Sequence, residues 1–211
     1  MAIPVYGCGF IHESSAWVPT FLKMPEDWRK TWVANFDPSS HVKNARMPML
    51  FVNGTNDFAY PLDSYQKTYR LVKDRLLCLT VNMPHGHKEG WAPVEIGLFA
   101  DEKLKEGKPL FRFGDRGFSV EDEGDKKVVK MAVRQKFDGT AVTKVQLHWT
   151  TDAKSPWQKR KWQSKDVPVL PGNATDFYRI VLPTDRPQIW FVTATDERKA
   201  TVSTEHQTLE K

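Results

Sequence analysis

The stretch of sequence that decides the fold is MPMLFVNGTNDFAYP, residues 47–61. It opens with an apolar run at 47–52 that does not alternate with polar residues, and it ends in a polar turn that carries Asp57. An unbroken apolar run is typical of a strand covered on both faces in a parallel sheet. A second such run, at 76–81, leads into Met-Pro-His-Gly-His at 83–87. Asp57 and the two histidines are therefore expected at the same edge of the sheet, where parallel sheets place their ligands.

Helical patterns alternate with these two strands. Apolar side chains recur at helical spacing in residues 26–36, again in 63–72, and in a final amphipathic segment at 94–104. A series of strands and helices in this order predicts an α/β layer built on a parallel sheet.

The pattern changes after Lys-Glu-Gly-Lys-Pro at 105–109, which reads as a linker. Apolar and polar residues then alternate with period two, and we predict strands at 129–137, 145–149, 177–182, 189–195 and 200–206. Several short strands over about 100 residues are typical of an antiparallel sandwich of immunoglobulin or fibronectin size. The sequence thus predicts two domains, at 1–106 and 107–211.

Composition excludes several classes of protein. The 211 residues are 40% hydrophobic and 12% aromatic, which is too apolar for a disordered chain, and the mean hydropathy of −0.54 with no long apolar run argues against a membrane partner. The net charge is +5, but the lysines and arginines are interspersed with 26 acidic residues along the chain. A nucleic-acid partner is therefore not expected either. Two cysteines are too few for a disulfide framework.

Asp57 with His85 or His87 forms a candidate catalytic pair. A carboxylate that orients an imidazole, with the imidazole as general base, supplies two thirds of a hydrolytic triad. The order along the chain, acid before histidine, is that of the α/β-hydrolases. The simpler alternative is that Asp57 only caps the turn before the next helix and that the histidines belong to a polar loop.

Several segments resemble a known family. VYGCGF at 5–10, the stretch 47–61 and MPHGH at 83–87 are similar to the C-terminal half of acetylxylan-esterase-like or dienelactone-hydrolase-like α/β-hydrolases, and WQKRKW at 157–162 resembles the β-sandwich that follows this domain in some members. The resemblance implies a truncated parallel α/β-hydrolase sheet followed by an immunoglobulin/fibronectin-like antiparallel β-sandwich. It also implies that Asp57 is the triad acid and His87 the base, with His85 lining the pocket, and that the substrate is a small ester or an acetylated carbohydrate.

The chain departs from this family at the nucleophile. No Gly-x-Ser-x-Gly motif occurs, so either water attacks or another chain supplies the serine. Cys8, between Gly7 and Gly9, is a candidate replacement nucleophile, although a buried small residue is the simpler interpretation. Half a hydrolase sheet would also expose a strand edge and an apolar face, so we expect a homodimer or higher oligomer formed through the α/β part.

Two alternative functions stay open. Asp57, His85 and His87 could hold a divalent metal that activates water for hydrolysis of phosphate or carboxylate esters, whereas the main hypothesis requires no cofactor. The second alternative is non-enzymatic, with the β-sandwich as a carbohydrate-binding or interaction module and the first part as a scaffold.

Overall fold

The computed structural model of the chain describes residues 1–124, 126–134, 140–168, 176–183 and 188–209. Two units are distinguished by their internal contacts. The first comprises Met1–Pro93 with Ser155–Arg160, and the second comprises Val94–Lys154 with Lys161–Lys211. These bounds differ from the predicted domains 1–106 and 107–211, because the predicted helix at 94–104 groups with the second unit.

The first unit begins with short helices and continues as a strand and helix alternation. Its elements are α1 (Val18–Lys23), α2 (Glu26–Phe36), α3 (Pro38–His41), a 3-10 turn (Val42–Asn44), β1 (Met49–Asn56), α4 (Leu62–Arg70), β2 (Arg75–Pro84), α5 (His87–Trp91) and a second 3-10 turn (Trp157–Lys159). Helix α2 ends where Asp37 takes an extended conformation, and the Asp37 carboxylate then accepts a hydrogen bond from the Ser39 N–H to cap α3. A proline at the first position of α3 is compatible with this cap, since its missing N–H would have no partner there.

Strands β1 and β2 form the parallel pair that the apolar runs predict. Their register runs from Met49 opposite Arg75 to Gly54 opposite Thr80, and Leu50 and Val52 are completely buried. Residues 2–5 add two parallel bridges to β1, through backbone hydrogen bonds that point away from β2. β1 is therefore covered on both edges as well as on both faces.

Helices α4 and α2 differ in how far their apolar side chains are buried. In α4, Tyr65 and Tyr69 are fully buried, and both rings contact the Phe51 ring edge-to-face, at 5.7 and 6.0 Å between centroids. In α2 no residue is buried, and Trp28 and Phe36 are 68% and 67% exposed. Trp28 and Phe36 are thus left largely in solvent, whereas Trp32 is half-buried and its ring contacts that of Phe21.

The second unit holds one helix and the remaining strands. They are α6 (Glu95–Leu104), β3 (Arg112–Glu123), β4 (Lys126–Arg134), β5 (Val142–Thr150), β6 (Gln163–Val167), β7 (Asp176–Val181), β8 (Ile189–Asp196), β9 (Thr201–Ser203) and β10 (Gln207–Thr208). All the strand pairs in this unit are antiparallel. One sheet has the order β10-β8-β5-β6 with β9 beside β8, and the other has the order β3-β4-β7.

Most of the predicted strands of the second unit are found, but β3, β6 and the two-residue strand β10 were not predicted. β3 and β6 lack a clear apolar alternation, and residues 135–137 of the predicted strand at 129–137 lie outside the described residues. Helix α6 is held to this unit because the Glu95 carboxylate accepts the Thr201 N–H and the Glu102 carboxylate accepts the Leu110 N–H.

The mixed helix and sheet class is confirmed by these elements. Among the helices in the described ranges, none has the length and apolar character that crossing a membrane requires.

Candidate functional site

Asp57 lies immediately after β1 and is held by the turn that follows. Its side chain is completely buried, and Oδ1 accepts hydrogen bonds from the N–H groups of Ala59 at 2.6 Å and Tyr60 at 3.0 Å. The Asn53 side chain donates to the Tyr60 carbonyl at 2.9 Å and closes the same turn. An aspartate that binds the backbone two and three residues ahead is ordinary turn chemistry, and here it leaves Oδ2 for another partner.

A bulge at the end of β2 carries His85 to Asp57. Gly54 pairs with Thr80, but Asn56 pairs with Pro84, so three residues of β2 lie opposite one residue of β1. The Thr55 hydroxyl accepts the Asn82 N–H at 2.8 Å, and Asn82 adopts a left-handed conformation with φ 59°. Asparagine tolerates this conformation better than most residues, which is why the bulge can form at Asn82.

His85 and Asp57 are in direct contact. His85 Nδ1 lies 3.1 Å from Asp57 Oδ2, and the imidazole is 30% exposed while the carboxylate is fully buried. Because an ionised carboxylate can only accept, Nδ1 carries the proton and donates it. In the neutral imidazole Nε2 is then the basic nitrogen, which is the arrangement of a general base oriented by an acid.

The predicted pairing of Asp57 with His87 is corrected by this geometry. His87 begins α5, and its side chain is exposed. The reason is the bulge, because it brings the first histidine of Met-Pro-His-Gly-His to the carboxylate and places the second one at the start of a helix. Both histidines nevertheless border the same cavity.

The cavity has a volume of about 290 Å³ and a largely aromatic wall. It is lined by Val5, Tyr6, Gly7, Tyr60, His85, Gly86, His87 and Trp91. The rings of Tyr6, Phe58 and Tyr60 approach the His85 ring at centroid distances of 4.4, 5.5 and 5.7 Å. These aromatic residues were not predicted as part of the site, although Tyr6 lies in the segment 5–10 and Phe58 and Tyr60 lie in the segment 47–61.

Cys8 is not placed to act as a nucleophile. The thiol is 3% exposed, and burial, followed by the charges of Asp37, Asp57 and Asp63, raises its pKa well above the ordinary value. Since the thiolate is the nucleophilic form, the buried thiol is inert at neutral pH. The simpler interpretation of Cys8, a buried small residue, agrees with this environment.

Asp37 organises a second buried polar cluster next to Cys8. Its carboxylate accepts the N–H groups of Phe10 at 2.9 Å and Ser39 at 2.8 Å, and it lies 3.6 Å from His12. Burial works to raise the pKa of Asp37, but these hydrogen bonds outweigh it and leave the pKa below its ordinary value. The cluster holds the loop 9–12 against α3.

The proposed metal ligands are not gathered into a metal site. Across the described ranges, no group of three or more His, Cys, Asp or Glu side chains is arranged to hold a metal ion. Asp57 and His85 are bonded to each other instead, at 3.1 Å. The metal-dependent alternative is therefore supported only by the sequence pattern of Asp57, His85 and His87.

Comparisons with known proteins add little to this description. No family profile and no curated protein matches the chain. Two solved structures are similar to it, wild-type OgpA from Akkermansia muciniphila and a catalytically inactive OgpA from the same organism in complex with an O-glycopeptide substrate. The identities are 9% and 10%, both TM-scores are 0.34, and the matches cover 95% of this chain with 74% and 73% of the other chains. Likeness at this level carries no argument about fold or function.

Proposed function

We propose that the first unit carries the general-base half of an active site that hydrolyses ester bonds, with His85 as the base and Asp57 as the acid that orients it. The observation that carries the proposal is the 3.1 Å contact between a partly exposed imidazole and a fully buried carboxylate at the wall of a cavity. A buried carboxylate beside such an imidazole stabilises the imidazolium that forms during the reaction.

The reaction follows from the tautomer of His85. Nε2 takes a proton from a water molecule while the water oxygen forms a bond to the ester carbonyl carbon. The bond from that carbon to the alcohol oxygen then breaks, and the imidazolium returns the proton to the leaving alkoxide. The products are a carboxylic acid and an alcohol, and the imidazole is regenerated.

Water is the nucleophile that suits the cavity. Its described lining residues include no serine, threonine or cysteine. Burial is the largest cause of the raised pKa values of Tyr6 and Tyr60, so these phenols stay neutral and are poor nucleophiles. In the alternative form of the proposal, another chain supplies the serine that the hydrolase-like sequence lacks.

The substrate class in this proposal is a small uncharged ester, including the acetylated carbohydrate that the resemblance implies. Apart from the two histidines, the wall of the cavity has no ionisable side chain other than tyrosine, and aromatic faces favour neutral groups over phosphate or carboxylate. The truncated α/β-hydrolase sheet and the immunoglobulin/fibronectin-like sandwich belong to the same proposal. Their support is an acid and a histidine that follow successive parallel strands, and the two antiparallel sheets.

Hydrolysis of p-nitrophenyl acetate tests the proposal. We expect His85→Asn and Asp57→Asn each to lower kcat by about 10²–10⁴-fold, which is the usual contribution of general-base catalysis. Asp57→Asn is informative because its amide oxygen can still accept from Ala59 and Tyr60, so the turn is kept while the charge is lost.

Two histidine variants serve as controls. His41→Asn removes an exposed imidazole from α3 and should retain the full rate, which measures any nonspecific hydrolysis by surface histidines. His87→Asn should cost much less than His85→Asn. The opposite order, with His85→Asn active and His87→Asn inactive, would contradict the assignment of the base.

A further inference from the structure

Tyr6 occupies an unusual backbone position next to the candidate base. It directly follows residues 2–5, and its N–H donates to the Val52 carbonyl at 2.9 Å. Its φ is 62°, in the left-handed region that disfavours residues with a Cβ. A strained conformation of a buried aromatic residue persists only where the surrounding contacts hold it, and such positions cluster at functional sites.

The hydroxyl of Tyr6 is bonded on both sides of His85. It lies 3.0 Å from the carbonyl oxygen of Pro84 and 3.0 Å from that of Gly86, so its single proton is shared between the two acceptors. The Gly86 N–H in turn donates to the hydroxyl oxygen at 3.3 Å. The phenol therefore fixes the backbone immediately before and after the histidine.

The ring of Tyr6 lies against the imidazole itself. The two centroids are 4.4 Å apart with an interplanar angle of 38°, the shortest of the three aromatic distances to His85. Burial is the main cause that raises the pKa of Tyr6, and the charges of Asp57 and Glu89 raise it further, although the Gly86 hydrogen bond opposes them. The phenol is thus a neutral donor over the range in which an imidazole acts as a base.

We propose that Tyr6 is a positioning residue for His85, holding the imidazole so that Nδ1 stays on Asp57. The ring restricts the rotation of the imidazole, and the hydroxyl restricts the loop that carries it. This inference rests on the proposed general-base function, but it makes a claim about the histidine tautomer that can be measured without any substrate.

The test compares two tyrosines that use their hydroxyls in the same way. Tyr65 also donates to two backbone carbonyl oxygens, those of Pro4 at 3.0 Å and Val52 at 2.9 Å, but not to the loop around His85. Tyr6→Phe and Tyr65→Phe therefore remove the same chemical group at two places in the first unit. The readouts are the ¹⁵N NMR signals of the His85 imidazole and the kcat and KM for p-nitrophenyl acetate.

We expect Tyr6→Phe to mix the two tautomers of His85, visible as exchange broadening or loss of the Nδ1 proton signal, and to lower kcat about tenfold while KM changes by less than about twofold. Tyr65→Phe should leave the tautomer and kcat as in the wild type. Tyr6→Leu, which also removes the ring, should broaden the signal further, and circular dichroism establishes that each variant is folded.

An unchanged Nδ1 signal in both folded Tyr6 variants would overturn the inference, as would an equal change in Tyr65→Phe. If the wild-type protein hydrolyses no ester, the proposed function fails, but the NMR comparison still decides whether Tyr6 positions His85.

Discussion

At the scale of single residues, the site depends on a few close contacts rather than on a large set of catalytic groups. Asp57 is bound through one oxygen to the turn after β1 and through the other to His85. Buried polar groups of this kind are satisfied by specific partners, so a change of one atom alters the whole arrangement.

Gly54 is the residue whose smallness the bulge requires. A Cβ at this position would lie 1.9 Å from the Met83 carbonyl oxygen, a distance that backbone atoms cannot tolerate. We predict that Gly54→Ala destabilises the first unit by about 1–3 kcal/mol, since overpacking forces backbone shifts. Hydrogen exchange should show reduced protection of the amides of β1 and β2.

Gly97 provides the control for this change. A Cβ at Gly97, in α6, would meet nothing within 4 Å. Gly97→Ala should therefore be neutral or stabilise the helix by up to about 1 kcal/mol. Protection of β1 and β2 in Gly54→Ala equal to that in the wild type would contradict the close approach of the two strands.

At the scale of elements, β5 carries a buried histidine that makes the stability of the second unit depend on pH. His148 is 5% exposed and contacts the hydroxyls of Ser164 at 2.7 Å and Thr193 at 2.9 Å, on the neighbouring strands β6 and β8. Burial first, and then the charge of Lys144, lowers its pKa from 6.5 to about 4, with a small opposing effect of Asp166. His148 is therefore neutral in the folded chain near neutral pH.

This depressed pKa predicts a loss of stability in acid. Between about pH 6.5 and 4 the unfolded chain binds a proton on His148 that the folded chain does not, so the free energy of unfolding falls as the pH is lowered through this window. The full shift corresponds to about 3 kcal/mol. Urea unfolding of the wild type at pH 7.5 and 4.5 measures the loss.

The variant His148→Gln isolates this contribution. Glutamine keeps a donor and an acceptor for Ser164 and Thr193 but does not titrate, so its stability should fall less between the two pH values. Asp37 and Asp196 also have lowered pKa values, and they contribute equally to both proteins. Identical pH dependence in the two chains would show that folding does not lower the pKa of His148, and would contradict this prediction.

At the scale of the whole molecule, the exposed apolar side chains of the first unit favour association. Leu22, Trp28 and Phe36, on α1 and α2, are 70%, 68% and 67% exposed. Large apolar side chains left exposed on two consecutive helices are typical of interaction surfaces, and a closed twofold pairing would bury them. We therefore keep the prediction of a homodimer or higher oligomer formed through the first unit.

Light scattering after size-exclusion chromatography measures this association. The wild type should have at least twice the mass of one chain, and Leu22→Gln with Trp28→Gln should shift it toward the monomer because each change removes exposed apolar area. Leu104→Gln is the matched control, since Leu104 is also 70% exposed but lies in the second unit. A monodisperse wild-type monomer would refute the prediction.

Much of the local structure could be predicted from the residues. The bounds of α2, the buried strands at 47–52 and 76–81 and the apolar stripe of α4 follow from hydrophobic periodicity, and the structure confirms them. The packing of α6 could not be predicted in this way. Periodicity shows that α6 has an apolar face, but not that the helix groups with the second unit instead of the first.

The sequence by itself determined that Asp57 and two histidines follow successive buried strands, and therefore that they meet at one edge of a parallel sheet. Only the tertiary structure decided that His85, and not His87, contacts the Asp57 carboxylate. It also decided that the ring of Tyr6 lies against the His85 imidazole. The physical reason is that strand patterns specify which face a side chain occupies. A bulge shifts the register by whole residues and depends on hydrogen bonds between distant segments, such as that from the Asn82 N–H to the Thr55 hydroxyl.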